Sequence, residues 1–306
     1  MRSSRRPLRG FGCVVVAIAM VGCGGRQFDA DRAYGHLVDQ VGMGPRIPGT
    51  EGHARTLEYL REHLAERADR VFVHRFETVS PLDSSAVVLQ TIVAVFGEDR
   101  PIRILFGAHW DTRPIADQEE DEELRARPVP GANDGASGTA VLLELATALR
   151  DSPPKVGVDL VLFDGEDLGR ASEAETFALG SAGFVRDHPD YRPAFMINLD
   201  MVGRIGTRIP KEPHSVLGAG PLVERIWGLG REIGLTVLAD TLGPPVFDDH
   251  VPFLRVGIPA VNLIDFSDPN WHTTRDDVEH CGPEPLGEIG RLALAIIREA
   301  EETLRP

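Results

Sequence analysis

The sequence feature that most restricts the fold is a set of short, continuous apolar runs that end in polar residues. Residues 160–163 form such a run and residues 102–106 form one apart from Arg103, and each has the length and composition of a strand covered on both faces. His109 follows the first run closely, and Glu166 follows the second. Open α/β sheets build their sites at the carboxyl ends of strands. The sequence therefore predicts a functional site at one edge of a buried sheet.

The rest of the chain alternates between helix-like and strand-like segments, which is the pattern of a layered α/β domain. A helix is predicted over residues 55–68, where leucines recur at helical spacing. Five strands are predicted: an antiparallel edge pair over 70–76 and 87–96, and central strands over 102–108, 158–163 and 194–199.

Composition favours one large domain and disfavours nucleic acid as a partner. The chain has 306 residues, of which 42% are hydrophobic and 26% are charged, enough for a substantial core. A net charge of -15 disfavours binding to nucleic acid through a basic surface. One acidic tract is interpreted as a solvated loop, with a cation-binding or substrate-gating loop as the alternative. It contains Asp117, Glu119, Glu120, Asp121, Glu122 and Glu123.

The first residues have the pattern of an export signal, with a basic head and an apolar stretch too short for a comfortable membrane span. The stretch ends in a segment that resembles a bacterial lipoprotein box at Cys23. We therefore predict a signal peptide over residues 1–22, a lipid on Cys23 that tethers the protein to a membrane of the cell envelope, and a single zinc-dependent catalytic domain over 23–306. A plain cleaved signal or an uncleaved anchor is the alternative. Cys281 then lacks a disulfide partner.

Three separate segments contain the residue types of a zinc site. Asp134, Asp167 and His272 are an oxygen, oxygen and nitrogen set of the kind that zinc accepts with a fourth position left open. Glu166, next to one of these candidates, is suitably placed for a general acid and base. Taken alone, Asp134 could simply cap the helix that follows residues 131–138, and His272 could be a packed histidine. Their occurrence together favours the metal site.

These motifs carry a family resemblance that covers nearly all of the region after the signal. Residues 107–114 (GAHWDTRP), 163–167 (FDGED), 248–254 (DDHVPFL) and 271–273 (WHT) resemble the zinc aminopeptidase and glutaminyl cyclase family. They are more similar to the branch of bacterial and animal-type glutaminyl-peptide cyclotransferases. The resemblance implies a three-layer α/β/α domain with a mixed, mainly parallel central sheet, bound zinc, and a reaction at the N-terminus of a peptide or protein substrate.

The two branches of the family imply different metal sites. In the peptidase branch an aspartate bridges two zinc ions, and Glu166 would deprotonate a water molecule for amide hydrolysis. In the cyclase branch one zinc is bound, by Asp134, Asp167 and His272. The peptidase arrangement would add a second metal, held by His109 and Asp200 and bridged to the first by Asp134.

The cyclase reading assigns roles to further residues. The enzyme would convert N-terminal glutamine to pyroglutamate and release ammonia. Glu166 would take a proton from the substrate α-amine and return it to the departing ammonia. Asp200 and Asp248 would steady Glu166 and the leaving group. Trp271 is predicted to form the wall of the substrate pocket, with ordinary core packing as the alternative.

One residue suggests a physical reason for a single metal. Family peptidases more often carry a serine at the position of Asp248. We hypothesise that Asp200 and Asp248 meet and share a proton, which would make Asp200 a poor metal ligand. The alternative is that Asp248 caps the helix that starts near Asp249.

A third function class, a binding protein that has lost catalysis, is disfavoured because the candidate ligands and the acid/base residue are all present.

Overall fold

The computed structural model describes residues 26–304. The predicted signal peptide and Cys23 lie outside the described residues. Within the described range no helix has the length and apolar character needed to cross a bilayer. Cys281 is a buried free thiol.

The fold is built on a mixed sheet. Its strand order is β1-β2-β4-β3-β5-β8, in which the first two pairings are antiparallel and the other three are parallel. A separate two-stranded ribbon is formed by β6 and β7. The strands are β1 Arg70–Val79, β2 Ala86–Phe96, β3 Arg103–His109, β4 Gly157–Phe163, β5 Met196–Asp200, β6 Ile209–Lys211, β7 Leu238–Leu242 and β8 Ala260–Ile264.

Helices cover both faces of the sheet, because alternate side chains of each central strand point to opposite faces. Ile104 and Phe106 belong to the larger core, with α1, α4, α6 and α8, whereas Leu105 belongs to a smaller core with α5 and α7. The predicted three-layer α/β/α class is confirmed. The helices are α1 Ala30–Gly42, α2 Glu51–Ala65, α3 Glu122–Arg125, α4 Ala136–Asp151, α5 Leu179–Asp187, α6 Pro213–Glu232, α7 His250–Arg255 and α8 Pro283–Thr303.

The five predicted strands are confirmed, whereas one predicted helix starts earlier than expected and one further strand was not predicted. The antiparallel edge pair and the three central strands are present, with ends shifted by a few residues. The helix predicted over residues 55–68 begins earlier, at Glu51, because the Thr50 side chain accepts a hydrogen bond from the backbone N–H of His53 and caps it. The sequence patterns did not single out β8, a short strand whose apolar sequence is interrupted by Asn262. Its amide oxygen accepts a hydrogen bond from Asn198 Nδ2 at 3.1 Å, and its amide nitrogen donates to Asp248 Oδ2 at 2.6 Å.

Two glycines allow α4 to begin directly against the sheet edge. A side chain on Gly138 would collide with the carbonyl of Leu199 in β5, and one on Gly135 would collide with the ring of His109. The absence of side chains brings the segment before α4, which contains Asp134, close to the carboxyl ends of β3 and β5. The sheet topology and these close approaches together position the candidate site.

Candidate metal centre and active site

The structure brings the predicted zinc ligands together. Asp134 precedes α4, Asp167 follows β4, and His272 lies in the loop after β8. His272 Nε2 lies 3.1 Å from Asp167 Oδ1 and 3.7 Å from Asp134 Oδ2. All three side chains are buried, and their potential ligand atoms lie within 4.8 Å of one another. Three distant segments therefore converge on a volume of the size that a metal ion needs.

The local chemistry fits zinc. Asp167 Oδ2 is buried and has no hydrogen-bond partner among the described residues. A buried carboxylate oxygen without a partner is costly, unless a cation binds there. Two carboxylates and an imidazole are also a donor set that zinc accepts. The unsatisfied oxygen and the donor set together indicate that Asp134, Asp167 and His272 would hold the ion.

A second group of potential ligands adjoins the first. His109 Nε2 lies 3.0 Å from Asp134 Oδ1 and 3.2 Å from Asp200 Oδ1. Asp134 thus directs one oxygen towards each group, which is the arrangement of a bridging carboxylate. Burial alone would lower the pKa of His109, but the neighbouring carboxylates of Asp111, Asp134 and Asp200 raise it well above its ordinary value. The geometry therefore accommodates either one metal or two.

Glu166 has the environment of a proton carrier. Its side chain lines the cavity over the cluster and is buried. Burial, followed by the negative charge of Asp167, raises the pKa of the Glu166 carboxyl well above its ordinary value. The Asp111 carboxylate accepts hydrogen bonds from the backbone N–H groups of Glu166 and Asp167, at 3.1 Å each, and so fixes this turn. A buried carboxyl with a raised pKa can both accept and return a proton near neutral pH.

Asp248 lies close enough to Asp200 for their charges to interact. Burial, followed by the charge of Asp200, raises the pKa of Asp248 to about 6. Its Oδ2 accepts a hydrogen bond from Asn262 Nδ2 at 2.6 Å, and the described contacts include no direct hydrogen bond between the two aspartates. The structure therefore supports the electrostatic part of the hypothesis, through space. The helix-cap alternative stays open, because Asp249 at the cap position of α7 makes no side-chain cap, whereas Asp248 Oδ1 accepts a hydrogen bond from the backbone N–H of Asp249.

Trp271 forms one wall of the cavity. Its ring stacks on the His272 imidazole, with centroids 3.9 Å apart, and Phe266 packs against it edge-on at 4.7 Å. The cavity measures about 170 Å³, below the roughly 300 to 1,000 Å³ of sites that enclose drug-sized ligands. Other apolar lining residues are Ala171, Ala174, Phe177, Val246, Phe247 and Ile264.

The interpretation of the acidic tract as a solvated loop is wrong for its first part. Asp117 Oδ1 lies 3.2 Å from His272 Nδ1, and Glu119 is buried and accepts hydrogen bonds from Thr274. The solvated description holds for the exposed residues from Glu120 onwards. These contacts join segments about 155 residues apart, so no local charge pattern could indicate them.

The sequence patterns also missed two residues that support the ligand loop. The buried Arg46 guanidinium donates to the carbonyls of Trp110, Pro130 and Gly131, at 2.5 to 2.9 Å. The Asp276 carboxylate accepts the backbone N–H groups of Asn133 and Asp134, at 2.7 and 3.1 Å. Arg46 lies in a glycine- and proline-rich turn and Asp276 lies just after His272, so their positions alone suggest no such role.

Comparison with known proteins identifies the family. Residues 91–297 match the sequence model of peptidase family M28. The chain belongs to peptidase family M28. The predicted resemblance is thereby confirmed, and the family, together with the buried His/Asp/Asp group, implies zinc.

Relatives of this M28 protein include both cyclases and peptidases. The structure is similar to a glutaminyl cyclase from Tannerella forsythia, with 34% identity, a TM-score of 0.85 and coverage of 89% of this chain and 98% of the other. It is equally similar to a leucine aminopeptidase precursor from Bacteroides thetaiotaomicron, with 32% identity, a TM-score of 0.86 and coverage of 89% and 97%. Aminopeptidase YwaD of Bacillus subtilis is 32% identical over 63% of this chain, a match that spans only 40% of YwaD.

Proposed function

We propose that this protein is a zinc-dependent glutaminyl-peptide cyclotransferase, which converts N-terminal glutamine to pyroglutamate and releases ammonia. The observation that carries the proposal is the buried pair of Asp200 and Asp248. Burial raises the pKa of Asp200, and burial together with the charge of Asp200 raises that of Asp248, so a proton competes with a second cation at this pair. This favours one metal, held by Asp134, Asp167 and His272.

The cavity supports a substrate that enters by its terminal residue. Its walls are mainly aromatic and aliphatic, while its floor is the carboxylate cluster. A cavity of about 170 Å³ has room for a single short side chain rather than an extended peptide. Apolar walls of this kind hold a folded side chain close to its own α-amine, which is the geometry that ring closure requires.

The chain's own residues supply the proton transfer. Bound zinc would contribute Lewis-acid polarisation of the side-chain amide carbonyl. Glu166, with its raised pKa, accepts a proton from the substrate α-amine and returns it to the leaving nitrogen. Trp271 orients the glutamine side chain from the cavity wall. Asp200 and Asp248, which together hold one proton and one negative charge, steady Glu166 and the leaving group.

The second candidate is a two-metal aminopeptidase. It is favoured by the group of His109, Asp134 and Asp200, whose donor atoms could hold another ion with Asp134 as the bridge. The similarity to the leucine aminopeptidase precursor, which has the same extent as the similarity to the cyclase, also supports it. In this case Glu166 would activate a water molecule.

Mass spectrometry on two peptides distinguishes these functions. Zinc-loaded protein is incubated with one peptide that begins with glutamine and one that begins with leucine. The proposal predicts loss of one ammonia from the first peptide while the second remains intact. Release of free leucine would support the aminopeptidase, and two unchanged peptides would contradict both functions. Glu166→Gln protein, loaded with zinc in the same way, controls for uncatalysed cyclisation.

We also propose that the protein is exported and anchored in the cell envelope through a lipid on Cys23. The basic and apolar pattern of residues 1–22 supports this proposal. Metabolic labelling with palmitate should mark the parent protein but not a Cys23→Ala variant. Equal labelling of both proteins, or of neither, would contradict it.

A further inference from the structure

We propose that residues 117–119, the first part of the acidic tract, act as a clamp that positions His272 to bind zinc, and that Arg113 links this clamp to the loop of Asp167. The inference rests on the zinc site of the proposed function but does not depend on which reaction that site catalyses. Asp117 is thereby a positioning residue.

Three consecutive residues contact the loop of His272. Asp117 Oδ1 lies 3.2 Å from His272 Nδ1, on the side of the ring opposite Nε2. The backbone N–H of Gln118 donates to the carbonyl of His272 at 3.2 Å. Glu119 Oε1 accepts from the backbone N–H and the hydroxyl of Thr274, at 2.8 and 2.5 Å. The clamp therefore contacts the ring, the backbone and the following turn of one ligand.

The backbone of His272 needs this support. Its φ of +54° lies in the left-handed region, which residues other than glycine seldom occupy. Such a conformation persists where surrounding contacts enforce it, and it is frequent at functional sites. The hydrogen bonds from Gln118 and to Glu119 fix the backbone immediately after this strained position, at the His272 carbonyl and the Thr274 N–H.

Arg113 couples the clamp to a second ligand. Its guanidinium donates to both carboxylate oxygens of Asp117, at 2.7 and 3.2 Å. Nη1 of the same group donates to the carbonyls of Asp167 and Gly169, at 2.8 Å each. One buried cation thus fixes the carboxylate beside His272 and the backbone of Asp167.

The position of Asp117 beside Nδ1 bears on the orientation of the His272 imidazole. A metal-binding histidine usually donates its other ring N–H to a carboxylate or carbonyl, which fixes the tautomer and raises the basicity of the ligand nitrogen. Loss of such a partner typically weakens metal binding about 10- to 100-fold. In this structure the approach of Asp117 to Nδ1 has the distance of an ion pair but not the alignment of a hydrogen bond. Asp117 therefore acts on the imidazole through the charge of its carboxylate.

The test compares substitutions within the same tract. Asp117→Asn keeps the shape of the side chain and an acceptor for Arg113 but removes the charge beside His272. Glu119→Gln is a second variant, which acts on the contacts with Thr274 and Arg275 and not on the His272 ring. Glu120→Gln is the matched control, because Glu120 is exposed and the charge change is identical. Zinc dissociation constants are measured by competition with a chromophoric chelator, together with the melting temperatures of the metal-free proteins.

We expect zinc affinity to fall about 10- to 100-fold in Asp117→Asn, less in Glu119→Gln, and not at all in Glu120→Gln. Turnover of Asp117→Asn should recover as zinc is raised, with an unchanged KM for the peptide. A purely structural role would instead lower the metal-free melting temperature and leave zinc affinity unchanged. Parental affinity in a folded Asp117→Asn, or an equal loss in Glu120→Gln, would overturn the proposal.

The outcome is separable from that of the proposed function. If the parent binds zinc and does not cyclise glutamine peptides, the cyclase proposal fails and the affinity series still decides the clamp. If the parent binds no zinc, the zinc site and the clamp fail together.

Discussion

Two buried aspartates at opposite ends of one strand differ in how their carboxylate oxygens are paired. Asp159, near the start of β4, accepts hydrogen bonds from Arg103 Nε and Nη2 at 2.7 and 2.6 Å, and from the Tyr191 hydroxyl at 2.7 Å. Asp167, just beyond the end of the same strand, has His272 at one oxygen and no partner at the other. Both side chains are only 2% exposed.

The two pairing patterns indicate that Asp159 serves the stability of the fold and Asp167 serves the function of the site. A buried carboxylate that is fully paired contributes to the fold or is neutral, whereas one with an unsatisfied oxygen lowers stability until a cation binds. The potential ligand atoms of Asp134 and His272 lie within 4.8 Å of that of Asp167, and Glu166 and Asp200 line the same cavity. The carboxyl end of the sheet is therefore built to bind a positive ion, and the opposite end is not.

The largest expected effect is on catalysis at the carboxyl end. Glu166→Gln should lower kcat for the glutamine peptide by about 10²- to 10⁴-fold, because the proton carrier is lost. The free energy of unfolding of the metal-free protein should stay equal or rise, since one surplus buried carboxylate is removed. Ammonia release and denaturant unfolding measure the two quantities, with exposed Glu62→Gln as the control. Turnover within threefold of the parent would exclude Glu166 as the proton carrier.

Substitution of Asp159, near the start of β4, should change the free energy of unfolding alone. Asp159→Ala leaves the Arg103 guanidinium without its carboxylate and should lower the free energy of unfolding by about 3 kcal/mol. Zinc affinity should be unchanged, because the site lies at the other end of β4. Urea unfolding and chelator competition test this, with Asp190→Ala as an exposed control. An Asp159→Ala variant with the stability of the parent but weaker zinc binding would contradict this assignment of roles to the two ends of β4.

Zinc affinity should rise with pH. Although burial lowers it, Asp117 and Asp167 raise the pKa of His272 to about 9 in the metal-free fold, from a model-compound value of 6.5. Protonated His272 therefore stabilises the metal-free protein fully below about pH 6.5, and this contribution is lost as pH rises through 9. Since zinc displaces that proton, affinity should increase by up to about tenfold per unit between pH 7 and 9. Titrations showing constant affinity over this range would contradict the assignment of His272 as a ligand.

The smallest expected effect concerns metal count. Asp248→Ser removes the charge that opposes ionisation of Asp200, so the variant should bind more zinc per chain than the parent. Metal analysis by plasma mass spectrometry measures this, with Asp190→Ser as the control. An unchanged zinc count would reject the proton competition as the reason for a single metal.

The sequence patterns predicted the layers and the edge of the sheet that carries the site, because buried strands have a distinctive composition and sheet topology aligns their ends. Asp134, Asp167 and His272 were grouped from residue type and family motif, and the structure brings them together. Their roles as ligands remain predictions.

Contacts between distant loops could not be predicted in the same way. The pairing of Asp117 with His272 depends on how two loops fold over the sheet edge, and a charge run is usually solvated. Asn262 in β8 is tolerated only because Asn198 and Asp248 satisfy its amide, which a reading of single segments does not reveal. Patterns along the chain locate strands and their ends, whereas the support of the ligands comes from tertiary contacts.

A crystal of the zinc-loaded protein, measured on both sides of the zinc absorption edge, tests the account most directly. We predict one anomalous peak, about 2.0 to 2.2 Å from His272 Nε2 and from an oxygen each of Asp134 and Asp167. A second peak of equal height between His109 and Asp200 would establish the two-metal site and favour the aminopeptidase. Absence of a peak at Asp167 would contradict the central claim that its unsatisfied oxygen marks a cation site.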